Sequence, residues 1–113
     1  MHELGIADEI LNVVLSEAAK HEAKRVTVVT VRVGVLRGIV PENLRFLFEN
    51  LAKETIVEGA ALGIEEEPVV IECGECGATE AGAMTWECPS CKCPGISVKG
   101  GDSLRIISIT LDT

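Results

Sequence analysis

Residues 26–36, VTVVTVRVGVL, decide the fold. Most of this run is valine or threonine, and side chains branched at Cβ are favoured in strands and slightly disfavoured in helices. The run is also too long and too rich in valine for a turn or a loop. It therefore predicts a β-strand.

Apolar residues recur at three- and four-residue spacing on both sides of this strand. Before it, residues 4–21 predict an amphipathic helix with one buried face. That face comprises Leu4, Ile6, Ala7, Ile10, Leu11, Val13, Val14 and Ala18. After the strand, Pro41 suits the first turn of a second helix, and Glu42 complements the dipole of that helix. The apolar face of the second helix comprises Leu44, Leu47, Phe48 and Leu51.

Two further strands complete the predicted fold. Residues 61–71 are typical of a strand that Pro68 interrupts or places at an edge, and LRIISITL at 104–111 alternates as a strand should. The order of elements predicts an α/β fold, a small two-layer sandwich of two helices on a three-stranded sheet. A cysteine-rich segment interrupts this order. We therefore expect a discontinuous α/β domain of residues 1–71 and 95–113 and an inserted, zinc-ribbon-like module at 72–94.

Length and composition exclude several classes of protein. A chain of 113 residues predicts one compact domain, alone or with a small module. The sequence shows neither a signal peptide nor an apolar stretch long enough to cross a bilayer, so we expect a cytoplasmic protein without membrane insertion. The net charge of −8 disfavours a nucleic-acid partner, because such a surface repels phosphate.

Two CxxC pairs, separated by eleven residues, indicate a metal centre. A two-residue gap lets a tight turn direct both sulfurs to one point, and Gly77 and Pro89 suit such turns. Two facing turns predict tetrahedral coordination of a structural Zn²⁺, although the spacing is also compatible with iron. The fifth cysteine, Cys93, is interpreted as a spare thiol, with an exchanging ligand as the alternative. The four predicted zinc ligands are Cys73, Cys76, Cys88 and Cys91.

The first three residues, MHE, offer a second set of metal ligands. The imidazole and the backbone nitrogen of His2 can close fused chelate rings with the amine of Met1. A planar, nitrogen-rich arrangement of this kind suits Ni²⁺ or Cu²⁺ better than zinc. Glu3 is a candidate to bind the ion, to hydrogen-bond the imidazole, or to stabilise the start of the helix. The same residues are also typical of a solvated chain end.

The motifs in combination are similar to those of the HypA/HybF family, the nickel metallochaperones of NiFe-hydrogenase maturation. The resemblance covers the whole chain: MHE at the start, AAKHEAKRVTVV, VGVLRGIVPENLRFLFE, the two CxxC pairs and the final LRIISITL. It implies a nickel site at the amino terminus that comprises Met1, His2 and Glu3, with His2 as the principal ligand and Glu3 needed nearby. It also implies that the four paired cysteines hold structural zinc.

The resemblance further implies a carrier of Ni²⁺, its transferred cargo, rather than an enzyme. No catalytic residue is predicted, since no nucleophile–base pair or phosphate loop is visible. The implied partners are a HypB-type GTPase and the precursor of the hydrogenase large subunit. Some relatives carry an extra histidine in the cysteine module, which this chain lacks, so water, Glu3 or a partner group is left as the fourth nickel donor. Whether the protein also delivers nickel to urease, and whether it forms a homodimer, is left open. The alternative function is a zinc-ribbon protein-interaction module without nickel delivery.

Overall fold

The computed structural model describes residues 2–81, 87–89, 91–92 and 94–113, with the backbone alone at residue 2. Within these ranges the chain forms two α-helices, one 3-10 turn and six strands. In order, they are α1 (His2–Lys20), β1 (Arg25–Gly34), the 3-10 turn (Val35–Arg37), α2 (Pro41–Leu51), β2 (Ala61–Glu67), β3 (Val69–Cys73), β4 (Gly77–Ala81), β5 (Ile96–Gly100) and β6 (Leu104–Asp112). Two three-stranded sheets have the orders β2-β1-β6 and β4-β3-β5. The predicted α/β fold, with two helices, a three-stranded sheet and a cysteine module, is confirmed.

The chain divides into two compact units, and the first comprises Met1–Val31, Ile39–Glu65 and Arg105–Thr113. In this unit α1 packs against α2. The core of this unit is built from aliphatic side chains and one phenylalanine. The buried positions of each helix repeat every three or four residues, so one face of each helix contributes to the core. The buried residues of α1, α2 and β1 in this unit are Ala7, Ile10, Leu11, Val14, Ala18, Leu44, Phe48, Val26, Val29 and Val31.

The buried face of α1 is narrower than the sequence predicted. Leu4 is 42% exposed and Val13 is 48% exposed. Successive residues of an α-helix point about 100° apart, so Val13 lies beside the stripe that contains Val14. In the described part of the chain, no helix has both the length and the apolar character required to span a membrane.

The second unit comprises Arg32–Gly38 and Glu66–Leu104. Its sheet is antiparallel around β3, where Cys73 lies opposite Gly77 of β4 and Ile96 of β5. Alternate residues of β3 are buried, as period-2 geometry requires. The domain division at residues 72–94 stays a prediction.

Pro68 divides the strand predicted over residues 61–71 into β2 and β3, which belong to different sheets. Proline has no N–H to contribute to a ladder, so the interruption follows from the sequence, whereas the change of sheet does not. The first strand also ends earlier than predicted, at Gly34, because the backbone then turns. At that point Leu36 N donates to Gly101 O at 2.7 Å, and a Cβ on Gly34 would overlap the Gly101 carbonyl.

Candidate metal centre

The two CxxC pairs come together in the second unit. The Sγ atoms of Cys73, Cys76, Cys88 and Cys91 all lie within 4.8 Å of one another, and Cys73 Sγ is 3.6 Å from Cys91 Sγ. Four sulfurs held tetrahedrally at ~2.3 Å from one ion are about 3.8 Å apart. The observed spacing therefore fits a single metal ion at the centre of the four thiols.

Cys73 is positioned by the turn that joins β3 to β4. It is the last residue of β3, and Gly77, which opens β4, has a φ of 83°, in the left-handed region that favours glycine. The backbone N–H groups of Glu75 and Cys76 hydrogen-bond the sulfur of Cys73 and lower the pKa of its thiol. This turn therefore stabilises the thiolate, which is the form of cysteine that binds metals.

The second pair is positioned by another turn. Lys92 N donates to the carbonyl of Cys88 at 2.8 Å, which closes the chain around Cys91. Cys88 and Cys73 are buried, whereas Cys91 and Cys76 are exposed. The centre therefore has one pair of ligands in the interior of the second unit and one pair at its surface.

Proximity of the thiols raises the pKa of Cys76 to about 12, with Cys91 as the largest cause, then Cys88 and burial. The nearby sulfurs of Cys91 and Cys88 disfavour a negative charge on Cys76, so its thiolate does not form readily without a cation. A divalent cation supplies the opposite charge, so the thiols lose protons when the ion binds. Because the protein supplies all four ligands, the arrangement suits a structural metal; a catalytic site would keep one position open for water.

The predicted nickel-binding residues are the first three of the sequence, Met1, His2 and Glu3. Met1 and the side chain of His2 lie outside the described residues, as does Cys93, and the ligand set at the amino terminus stays a prediction. The described backbone places His2 as the first residue of α1 and Glu3 in its first turn.

Glu3 contacts the other helix of the first unit. Its Oε2 accepts a hydrogen bond from the backbone N–H of Val40 at 3.2 Å, and Val40 is the N-cap residue of α2. The sequence predicted a helix start at Pro41, but nothing in the local pattern relates residue 3 to residue 40. His21 is exposed and follows the opposite end of α1, so the two histidines of the chain are separated by the length of this helix.

Comparison with known proteins gives sequence matches over the full length of the chain. The family model described as "Hydrogenase/urease nickel incorporation, metallochaperone, hypA" matches residues 1–111. The hydrogenase maturation factor HypA of Chlorobium limicola is 42% identical over 113 residues, covering 99% of this chain and 97% of its own. The factor of the same name from Methanothermobacter thermautotrophicus is 42% identical over 120 residues, covering 99% of this chain and 98% of its own.

Two solved structures share the fold. The solution structure of the Ni metallochaperone HypA from Helicobacter pylori has a TM-score of 0.64 at 22% identity and covers 97% of both chains. A solution structure of a HypA protein has a TM-score of 0.69 at 24% identity, covering 98% of this chain and 96% of its own. Sequence and fold agree along the entire chain, which belongs to the HypA family of hydrogenase and urease nickel-incorporation metallochaperones.

Proposed function

We propose that this protein binds Ni²⁺ at its amino terminus and delivers it to the precursor of the NiFe-hydrogenase large subunit, while the four paired cysteines hold a structural Zn²⁺. The observation that carries the proposal is that α1 begins at His2. The first N–H groups of a helix have no acceptor within the helix. A metal can therefore take the backbone nitrogen of His2 without breaking a helical hydrogen bond.

The two proposed sites prefer different metals because their ligands differ. The amine of Met1, the backbone nitrogen of His2 and its imidazole form a planar set of nitrogens, which suits Ni²⁺. The four thiolates form a tetrahedral set, which suits Zn²⁺ and fits the observed distances between sulfurs. Water, Glu3 or a partner group completes the nickel site.

The two sites also differ in how readily they release an ion. A carrier must bind its cargo and then give it up, and a terminal site with few protein ligands permits this. The zinc ligands surround their ion and belong to the folded second unit, so zinc stays in place. The proposed partners are a HypB-type GTPase, which assists insertion, and the large-subunit precursor, which receives the nickel.

Calorimetric titration of the zinc-loaded protein with Ni²⁺ tests the nickel site. The variant His2→Ala removes the principal ligand, and His21→Ala is the matched control, since His21 lies about 28 Å away along a helix with a rise of ~1.5 Å per residue. We expect the native protein and His21→Ala to bind about one nickel tightly, and His2→Ala to lose this site while keeping its zinc. Equal nickel binding by His2→Ala and the native protein would show that the terminus is not the site.

Delivery requires a second experiment. Nickel-loaded protein is mixed with purified large-subunit precursor and the GTPase, and nickel in the precursor is measured after the proteins are separated. We expect transfer from the native protein and none from His2→Ala. A protein that binds no nickel but still binds the precursor would instead fit the zinc-ribbon interaction module.

A further inference from the structure

Glu3 belongs to the first helix but caps the second. The N–H of Val40 points to Glu3 Oε2 at 3.2 Å, and the following residue, Pro41, has no N–H to donate. The carboxylate therefore lies at the end of α2 that carries partial positive charge. Glu42, in the first turn of α2, adds a second carboxylate to the same end of the helix.

This hydrogen bond adds to the packing that holds the first turn of α1. The first fully buried residue of α1 is Ala7, whereas Leu4 is 42% exposed. Packing holds the helix from Ala7 onward, and the contact between Glu3 and Val40 extends that hold to the first turn. Because Glu3 follows His2 directly, the contact restrains the position of the backbone nitrogen of His2.

The contact also changes the local electrostatics. The starts of α1 and α2 both carry partial positive charge, which disfavours a divalent cation nearby. The carboxylate of Glu3 belongs to the first turn of α1 and contacts the N-cap residue of α2, so it offsets that charge. It therefore contributes to the binding of a cation even when neither of its oxygens touches the ion.

We propose that Glu3 is a positioning residue of the nickel site, which acts through the N–H of Val40 and is not itself a nickel ligand. This inference rests on the proposed function, because it requires nickel at the amino terminus. It assigns the fourth nickel donor to water or to a partner group rather than to Glu3. It also assigns a role to the backbone of Val40, whose apolar side chain offers no ligand.

Four variants separate a positioning role from direct ligation. Glu3→Ala removes the acceptor, and Glu3→Gln keeps an oxygen that accepts a hydrogen bond but lacks the charge. Val40→Pro removes the donor and leaves Glu3 intact; the φ of −88° and ψ of 112° at Val40 are extended and close to the range of proline. Val40→Ala is the matched control, since it trims the side chain and keeps the N–H.

Each zinc-loaded variant is titrated with Ni²⁺ by calorimetry, and the visible absorption bands of bound nickel are recorded. We expect Glu3→Ala and Val40→Pro each to weaken nickel binding about 10- to 100-fold, as loss of a group that orients a metal ligand does. Their combination should weaken it no further than Glu3→Ala alone, because that variant already lacks both the contact and the charge. Glu3→Gln should lose no more than about fivefold, and Val40→Ala should bind as the native protein does. The absorption bands should keep their positions in all four variants.

Nickel binding by Val40→Pro equal to that of Val40→Ala, with strong loss in both Glu3 variants, would overturn the proposal. So would a shift of the absorption bands in Glu3→Gln, because a shift means that a ligand has changed. Circular dichroism shows whether each variant keeps its helices; if Val40→Pro does not fold, the Glu3→Ala and Glu3→Gln pair and their spectra still decide between the two roles. Retention of nickel by His2→Ala is a separate result, which contradicts the proposed function whatever the Glu3 variants show.

Discussion

The hydroxyl of Ser103 donates a hydrogen bond to Oε2 of Glu67 across 2.6 Å. The other carboxylate oxygen accepts the N–H of Gly101 at 2.6 Å and that of Ser103 at 3.3 Å, and Arg32 Nε is 3.5 Å from Oε2. These contacts, the Ser103 hydroxyl first among them, lower the pKa of Glu67 from 4.5 to about 2 against the opposing effect of desolvation. The second unit is therefore held by a carboxylate that stays ionised well into the acid range.

Acid should remove this contribution to stability. A carboxylate whose pKa is lower in the folded state stabilises that state above its unfolded pKa, and the contribution is lost as the pH falls from 4.5 to about 2. In Glu67→Gln, we expect lower stability at neutral pH and a dependence on pH that is weaker by up to about one proton. Urea unfolding at pH values between 2 and 6 measures this, with exposed Glu66→Gln as the charge-matched control. Equal pH dependence in Glu67→Gln and Glu66→Gln would contradict the prediction.

Gly101→Ala should destabilise the protein by about 2–4 kcal/mol. Gly101 has a φ of 80°, and a Cβ there would lie 2.9 Å from Val69 Cγ2 and 3.2 Å from Leu36 Cγ. Gly38→Ala is the matched control, because Gly38 also has positive φ but an added Cβ meets nothing within 4 Å, so its cost should be about 1 kcal/mol. Thermal unfolding of the two variants compares the costs. A larger loss in Gly38→Ala would show that crowding around Gly101 is unimportant.

The two phenylalanines of α2 should differ in their contribution to stability. Phe48 is fully buried and Phe46 is 65% exposed. Phe48→Ala leaves a cavity in the core of the first unit and should cost about 3–5 kcal/mol. Phe46→Ala should change the free energy of unfolding by no more than about 0.5 kcal/mol. Chemical denaturation measures both, and similar costs would mean that Phe46 is packed in solution.

Removal of zinc should unfold the sheet β4-β3-β5. A four-thiolate site contributes on the order of 10 kcal/mol to folding of the segment that supplies it. Cys73→Ser removes one of the four ligands and should therefore bind zinc weakly. Cys93→Ser should keep about one zinc, because the remaining four cysteines already form a complete set of ligands. Zinc content is measured colorimetrically, and amide hydrogen exchange compares Val69–Cys73 with Pro41–Leu51. Protection of β3 that persists without zinc would contradict the prediction.

The elements that the sequence predicted well are those with strong local periodicity. The valine-rich run, the two helices and the final strand are each encoded within one segment. β4 and β5 were not predicted, because GATEA and ISVKG are short and become strands by pairing with β3. Pairing between distant segments leaves little trace in the periodicity of either segment.

The same distinction between local and long-range contacts applies to the candidate site. The convergence of the four cysteines was predictable, since local geometry brings two sulfurs together in each CxxC pair and one tetrahedral metal ion takes both pairs. The contact of Glu3 with Val40 joins residues 37 positions apart, and that of Ser103 with Glu67 joins residues 36 apart. Both contacts form only when distant segments of the chain meet in the fold, and no motif in this sequence predicts them.

Each compact unit is assembled from separate stretches of chain, so the order of synthesis differs from the order of completion. α1 and β1 precede the cysteines in the chain, yet β6, which pairs with β1, is synthesised after them. The sheet β2-β1-β6 therefore lacks one strand until Arg105–Thr113 has been synthesised, and the first unit cannot be complete before that point. The helix that begins at His2 thus belongs to a unit that only the segment after the cysteines can complete.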